Sequence, residues 1–344
     1  MTMQSLITGG SGYFGYLLLR KLLDRGELCC VLDLVDADDR PSEVKFFQAD
    51  IRDYEGVLNA CKGVDIIYHN VAQVPLAKDK KLFDSVNILG TENLLKAALA
   101  NGVKKVVYTS SSAVFGVPNE NPVSEYTPPK PGEAYGRAKL EGENLCAKYV
   151  ERGLDVSIIR PRTIIGHGRL GIFQILFEWI RQGYNVPVLG KGNNSYQFVH
   201  ADDLAQACIL AAIRPGAATY NCGTDRFGTM REVLQSLCDY AKTGAKVKSV
   251  PMAPAIGGMK ITSALGISPL GAYHSLMYGR SMYFDISKSQ SELGWQPQYS
   301  NEEMFIQSYD WYLKNRESVF TSNRASHHRS AVKQGVLRLV KWFL

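Results

Sequence analysis

Tyr135 and Lys139 stand four residues apart in Tyr135-Gly136-Arg137-Ala138-Lys139, and Ser111 lies 24 residues before the tyrosine. On a helix, positions i and i+4 share a face, so the phenol and the ammonium point into one cleft. A tyrosine with its ordinary pKa of about 10 is a poor base at neutral pH, and a nearby ammonium favours the phenolate. The phenolate can take a hydroxyl proton as hydride leaves the same carbon, and return it in the reverse direction. Ser111, in the cluster Ser110-Ser111-Ser112, is placed to hydrogen-bond the same oxygen. A tyrosine and a lysine at this spacing are otherwise an ordinary helix-surface pair, so the chemistry depends on what positions them.

The positioning begins in the first fifteen residues. Ser5, Leu6 and Ile7 read as the end of a buried strand, and Leu17, Leu18, Leu19, Leu22 and Leu23 as an apolar helix. Between them runs Thr8-Gly9-Gly10-Ser11-Gly12-Tyr13-Phe14-Gly15. Gly9 permits the tight turn, Gly12 lets a pyrophosphate approach the backbone, and Gly15 lets the helix pack closely on the strand. The phosphates would then sit at the helix N-terminus, with Tyr13 and Phe14 in the same contact set. A second apolar strand, Leu28 to Leu32, ends at Asp33, near the usual spacing for gripping an adenosine ribose. A carboxylate there accepts both ribose hydroxyls of NAD but repels the extra phosphate of NADP, and no Arg or Lys follows before Arg40. NAD is the cofactor expected, and its positive nicotinamide ring would further favour the Tyr135 phenolate.

Strands and helices then alternate. Val44 to Phe47 reads as a third strand leading to Asp50 and Ile51, which are placed to frame an adenine ring. Val64 to Tyr68 reads as a fourth, leading to Ala72 and Gln73, where a small residue lets a cofactor lie against the backbone. Asn87 to Ala98 has helical spacing, with Asn87 placed to hold a kinked backbone or a water near the site. The run Val103 to Ser112 is a strand ending in hydroxyls at the C-terminal edge of the sheet, where open α/β folds place their ligands. The fold class expected is α/β, a Rossmann-type doubly wound parallel sheet with a smaller C-terminal substrate-binding lobe. Residues 1–160 form the NAD-binding part, with 195–222 returning to it; 161–194 and 223–315 form the substrate lobe, and 316–344 a tail.

Bulk properties agree. At 344 residues the chain exceeds one ordinary core. A net charge of +6, with basic residues dispersed except near the C-terminus, gives no nucleic-acid footprint. Seven cysteines, two of them adjacent in a predicted strand, read as reduced core thiols, and without CxxC spacing no metal is expected. The first strand starts almost at Met1, leaving no room for a signal peptide, and no apolar run reaches about 18 residues. A cytoplasmic enzyme with a small-molecule substrate is expected.

TGGSGYFG, Asp33, the Asp50-Ile51 pair, the NxxGTxNLL helix, YTSSSAVFG, YGRAK and Arg160-Pro161 together resemble the extended short-chain dehydrogenase/reductase family of NAD-dependent epimerases and dehydratases. The resemblance covers roughly residues 4 to 315. It implies a Ser111/Tyr135/Lys139 site, with Arg160 also on the cofactor side, and a homodimer joined by helices such as 81–101 and 135–152. It does not settle the substrate.

Departures from the family pattern are informative. Dehydratases of the family carry an Asp-Glu pair after the catalytic hydroxyl residue, and here those positions read Ser112 and Ala113. A hydroxyl and a methyl cannot supply the acid and base for water elimination. Nucleotide-sugar members tend to have an Asn where this chain has Thr163, and often an Arg where it has Tyr196. Both serve the diphosphate, for which the arginine fork is suited; Arg162, Arg169, Lys191 or Arg280 are the other cations able to serve it. The helix Gly171 to Ile180 is apolar nearly all round, and Pro251 to Tyr283 has few charges. Core packing explains both, as does a cover over a lipophilic substrate, which is similar to the 3β-hydroxysteroid dehydrogenase and dihydroflavonol reductase branches. His200, Asp202 and Asp203 read as the start of a helix, with carboxylates near its positive end.

In the tail, Val332, Val336, Leu339, Val340 and Phe343 form one helical stripe flanked by Arg329, Lys333, Arg338 and Lys341. Such a helix can lie on an anionic membrane surface or dock on protein. The expected function is NAD-dependent hydride transfer at a secondary alcohol or ketone of a lipophilic or ring-bearing substrate. The alternatives are a nucleotide-sugar 4-epimerase that retains its hydride and a nucleotide-sensing scaffold without turnover.

Overall fold

The computed structural model describes residues 3–73, 82–265 and 276–321. Its centre is a seven-stranded parallel sheet of β1 (Gln4–Thr8), β2 (Leu28–Asp33), β3 (Lys45–Gln48), β4 (Ile66–His69), β5 (Lys105–Thr109), β6 (Val156–Pro161) and β7 (Ala218–Cys222). The spatial order is β7-β6-β5-β4-β1-β2-β3, each neighbour pair parallel. From β1 the chain builds outward through β2 and β3, then returns to the other side of β1 for β4. The strand order therefore reverses between β1 and β4, which opens a crevice at their C-terminal ends. The glycine-rich turn leaves β1 at this crevice, and Ala72 follows β4.

Apolar faces at helical spacing cover both sides of the sheet. On one face α1 (Tyr13–Asp24) and α6 (Ala201–Ile213) pack through Leu18, Leu22, Leu204 and Cys208. On the other lie α2 (Tyr54–Ala60), α3 (Gly90–Ala100) and α4 (Ala134–Val150), through Val57, Leu94 and Cys146. A third core joins α5 (Ile172–Arg181), α7 (Met230–Ala241) and α10 (Asn301–Thr321), with Phe177, Leu237, Phe305 and Tyr312 inside. Helices α8 (Met252–Ala264) and α9 (Ser287–Leu293) lie between α7 and α10 in the chain. Short strand pairs, among them Thr163–Ile165 with Phe198–His200, connect the sheet to this lobe.

The expected helix from Asn87 differs in one respect: a π-helical turn, Phe83–Leu89, precedes α3. Asn87 is buried within it, its Oδ1 accepting from the Gln73 amide at 2.7 Å and its Nδ2 donating to the Gln73 carbonyl at 3.1 Å. The wider turn brings this side chain to the segment after β4. All seven cysteines are buried free thiols. Among the described residues no helix is long and apolar enough to cross a membrane. The basic stripe in the tail lies outside the described residues, as do 266–275 of the apolar stretch before Tyr283.

Candidate active site

The turn after β1 is built by backbone. Gly9 has φ +72°, and a Cβ on Gly15 would stand 2.2 Å from the Gly9 carbonyl oxygen, so only a glycine lets α1 start this close to the strand. Gly12 occupies the N-cap of α1 and no side chain caps its amides. Asp33 Oδ2 accepts from the Ser11 amide at 3.1 Å and Oδ1 from the Leu34 amide at 2.8 Å, fixing the carboxylate beside the turn. Burial raises its pKa, and these amides oppose the rise. Asp50, bonded to Arg52 Nε at 2.9 Å, lines the same cleft with Ile51 and Ala72.

The cleft has a volume of about 850 Å³ and runs from this turn past Ser111, Tyr135 and Lys139 into the second lobe. Ser111 caps the 3₁₀ turn Ser112–Phe115, its Oγ accepting from the Ala113 amide at 3.1 Å. Glu133 caps α4 by accepting from the amides of Tyr135 and Gly136 at 2.8 and 2.7 Å. A Cβ at Gly136 would stand 2.4 Å from the Ala113 carbonyl oxygen, so the glycine lets α4 press against the turn that carries the serine.

Burial pushes the Tyr135 phenol up to about 12, opposed by a hydrogen bond with Ser111 and by the charge of Arg169. Lys139, buried, is lowered by burial to about 8 and donates to the Thr109 carbonyl at 2.7 Å. The ammonium of Lys139 thus shares the α4 face of Tyr135 and is tethered to the end of β5.

Arg160 corrects an expectation. It is absent from the cleft wall, paired instead with Glu143 through Nε at 2.9 Å and Nη2 at 2.6 Å, both side chains buried. Glu143 also accepts from Ser110 Oγ at 2.5 Å. Burying a guanidinium is costly unless an anion offsets it, and here Glu143 does so. Its spacing was readable, since 135, 139 and 143 recur every four residues on one helix face. Asn87 likewise shapes the wall through Gln73 without lining the cleft. A further tie had no sequence signal: buried His69 bridges Thr8 Oγ1 at 2.7 Å and Thr91 Oγ1 at 3.1 Å, joining β1, β4 and α3 at the crevice.

In the substrate half, Thr163 Oγ1 and Tyr196 Oη lie 2.9 Å apart. The two hydroxyl side chains that depart from the expected nucleotide-sugar pattern are therefore bonded to each other. Of the four alternative cations, Arg162 and Arg169 line the cleft while Lys191 and Arg280 do not. Ligand atoms of His167, His200 and Asp202 lie within 4.8 Å of one another. They already serve the protein: His200 Nδ1 accepts from the Asp202 amide at 3.1 Å, its Nε2 meets Gln307 Oε1 at 2.5 Å, and Asp202 pairs with Lys21 at 2.9 Å. Asp203 accepts from the amides of Gln298 and Tyr299.

With this geometry in place, the comparison with known proteins is decisive for the family. Residues 5–223 match the NAD dependent epimerase/dehydratase family. The chain belongs to that family. It is 53% identical over 341 residues to the uncharacterized protein y4nG of Sinorhizobium fredii, covering 99% of this chain and 86% of that one. A UDP-glucose 4-epimerase of Mycolicibacterium smegmatis is 29% identical over 332 residues, 90% of this chain and 98% of the relative. The human sterol-4-alpha-carboxylate 3-dehydrogenase, decarboxylating, is 32% identical over 211 residues, 60% of this chain and 56% of that protein. Among solved structures, the Thermus thermophilus UDP-glucose 4-epimerase in complex with NAD superposes with a TM-score of 0.75 at 28% identity, covering 90% of this chain and 99% of that one.

The cofactor of this family is NAD, and the residues present fit it. The uncapped start of α1 offers amides to a pyrophosphate, a Cβ at Gly12 would intrude to 3.1 Å from the Gly9 carbonyl, and Asp33 presents a fixed acceptor.

Proposed function

We propose that the chain is an NAD-dependent dehydrogenase acting at a secondary alcohol or ketone of a lipophilic or ring-bearing molecule. Ser111 and Tyr135 serve the reacting oxygen, and Lys139 holds the cofactor ribose. Gly9, Gly12, Tyr13, Phe14, Gly15, Asp33, Asp50, Ile51 and Ala72 would hold NAD, which when bound supplies the hydride acceptor. Ser111 Oγ donates to the substrate oxygen, Tyr135 Oη takes its proton in oxidation and returns it in reduction, and Lys139 keeps the charge near that exchange positive. Ser112 and Ala113 offer no second acid and base, which disfavours dehydration.

The observation that supports the substrate class is the Thr163–Tyr196 pair, two neutral hydroxyls that satisfy each other where the family resemblance leads one to expect diphosphate ligands. The wall of α5 beyond it, with Ile172, Phe173, Ile175, Leu176 and Trp179, suits an apolar body. Tyr135→Phe should lower turnover by about 10²-fold or more with NAD binding retained, since an acid/base group contributes on that scale. Unchanged turnover would refute the role.

Similarity over nearly the full length of a UDP-glucose 4-epimerase supports a second reading, a nucleotide-sugar 4-epimerase that returns the hydride to the same substrate. The two readings separate on whether NADH accumulates. The family resemblance extends the proposal to a cytoplasmic homodimer paired through α3 and α4, which sedimentation at micromolar concentration tests.

A further inference from the structure

Helix α8 lacks the polar outer side that a surface helix normally presents. Met252, Ile256 and Met259 share one side and are half-buried. Met252 packs against the cleft wall: a Cβ at Gly279 would meet its Cε at 2.7 Å and Leu189 Cβ at 3.2 Å. Pro254, Gly258, Ile261 and Leu265 share the opposite side and are all exposed, Ile261 by 62% and Leu265 by 68%. Thr262 turns its hydroxyl back to the Gly258 carbonyl at 2.8 Å, so its proton is used within the helix. The charges around the helix have one sign. Between Asp239 and Asp285 the chain has no acidic side chain and five basic residues, Lys242, Lys246, Lys248, Lys260 and Arg280. All five are exposed and none is in an ion pair among the described residues, whereas Arg181, Arg226 and Arg316 of the same lobe pair with glutamates.

We propose that the outer side of α8 docks on an anionic lipid surface, with its apolar residues entering the acyl boundary and the five cations meeting the head groups. A bare apolar helix side marks an interaction surface, and the charges choose its occupant. A second copy would bring the same five cations to the contact, and two rims of like charge repel. An anionic bilayer supplies both an apolar layer and the opposite charge. The 13 residues of α8 span about 20 Å, short of the roughly 30 Å hydrocarbon core, so the helix lies at the interface rather than across it. The docking concerns where the protein sits and does not depend on the dehydrogenase reading. On that reading, it brings the cleft wall at Leu189 and Gly279 to a membrane that holds lipophilic substrate.

The test is flotation of the full-length protein with vesicles of phosphatidylcholine alone and of phosphatidylcholine with about 30% phosphatidylglycerol. The expected result is binding about ten-fold or more tighter to the anionic vesicles, weakening as salt is raised. Ile261→Asp with Leu265→Asp should lower that binding by about ten-fold or more, and Lys246→Gln with Lys248→Gln by about five-fold per residue. Equal binding to the two vesicles, including none, overturns the proposal. So does loss of binding in Val336→Asp with Phe343→Asp while the α8 pair leaves it unchanged, which would assign the contact to the tail. Dissociation of an oligomer by the α8 pair in vesicle-free buffer, read by sedimentation, overturns it in favour of a second copy. A fluorophore on Ile261→Cys gives a reading without the aspartates, since the native cysteines are buried. Brominated acyl chains should quench it, and an unquenched signal overturns the proposal. Flotation needs no turnover, so its failure leaves the catalytic reading standing.

Discussion

Tyr135 must give up a proton that its surroundings favour keeping. Burial sets the phenol near 12, and the Ser111 hydrogen bond and the Arg169 charge pull against that. Oxidation needs the phenolate, so its rate should rise with pH through the neutral range. Arg169→Gln removes a positive charge that stabilises the phenolate, and the rising limb should move to higher pH, measured as kcat/KM against pH with an uncharged secondary alcohol. An unmoved limb would mean that Arg169 does not reach the phenol. The types and the spacing of Ser111, Tyr135 and Lys139 were legible in the chain. What each of these side chains bonds to was not, because a shared helix face does not specify it. Lys139 shares the face with Tyr135 yet donates to Thr109. Arg160 was misplaced for a similar reason, since its partner Glu143 lies 17 residues away on another element.

Helix α4 carries two site residues and is held by close approach. At Gly136 an added methyl meets the Ala113 carbonyl at 2.4 Å, and backbone cannot yield as a flexible side chain would. Gly136→Ala should therefore cost about 1–3 kcal/mol and separate Tyr135 from Ser111, seen as a lower melting temperature together with a fall in kcat. In α5, Glu178 is buried, which alone would raise its pKa. Hydrogen bonds from Arg181, Arg316 and Tyr312 nevertheless hold it at about 2. A carboxyl lowered in the folded state contributes stability that is complete above its unfolded value, near 4.5, and is lost as pH falls toward 2. Glu178→Gln should abolish that part of the acid transition and loosen α10 from α5, by about 1–3 kcal/mol after allowance for solvent at Arg181 and Arg316. Acid titration of stability for both proteins checks it. Element order was readable from periodicity alone, and the strand expected at Val44–Phe47 is found at Lys45–Gln48. The π turn was not readable, and the Asn87 within it bonds to Gln73, a contact across 14 residues that periodicity does not report.

For the whole molecule, the reversal of strand order between β1 and β4 aligns the glycine turn, Asp33 and the serine-tyrosine pair along one crevice, and the second lobe closes its far end with α5. That plan serves any member of the family, which is why fold and cofactor were legible while the substrate was not. A net dehydrogenase and a hydride-retaining epimerase use the same three side chains, and the difference lies in how the second lobe holds the product. Here that lobe presents Thr163 bonded to Tyr196 and an apolar α5. The most direct measurement is the absorbance of reduced nicotinamide while the purified protein is incubated with NAD and two panels, hydrophobic secondary alcohols and nucleotide-sugars, with products identified by mass. The account predicts NADH formed in step with an oxidised hydrophobic product. A nucleotide-sugar converted to an isomer of unchanged mass, with no net NADH, would contradict it.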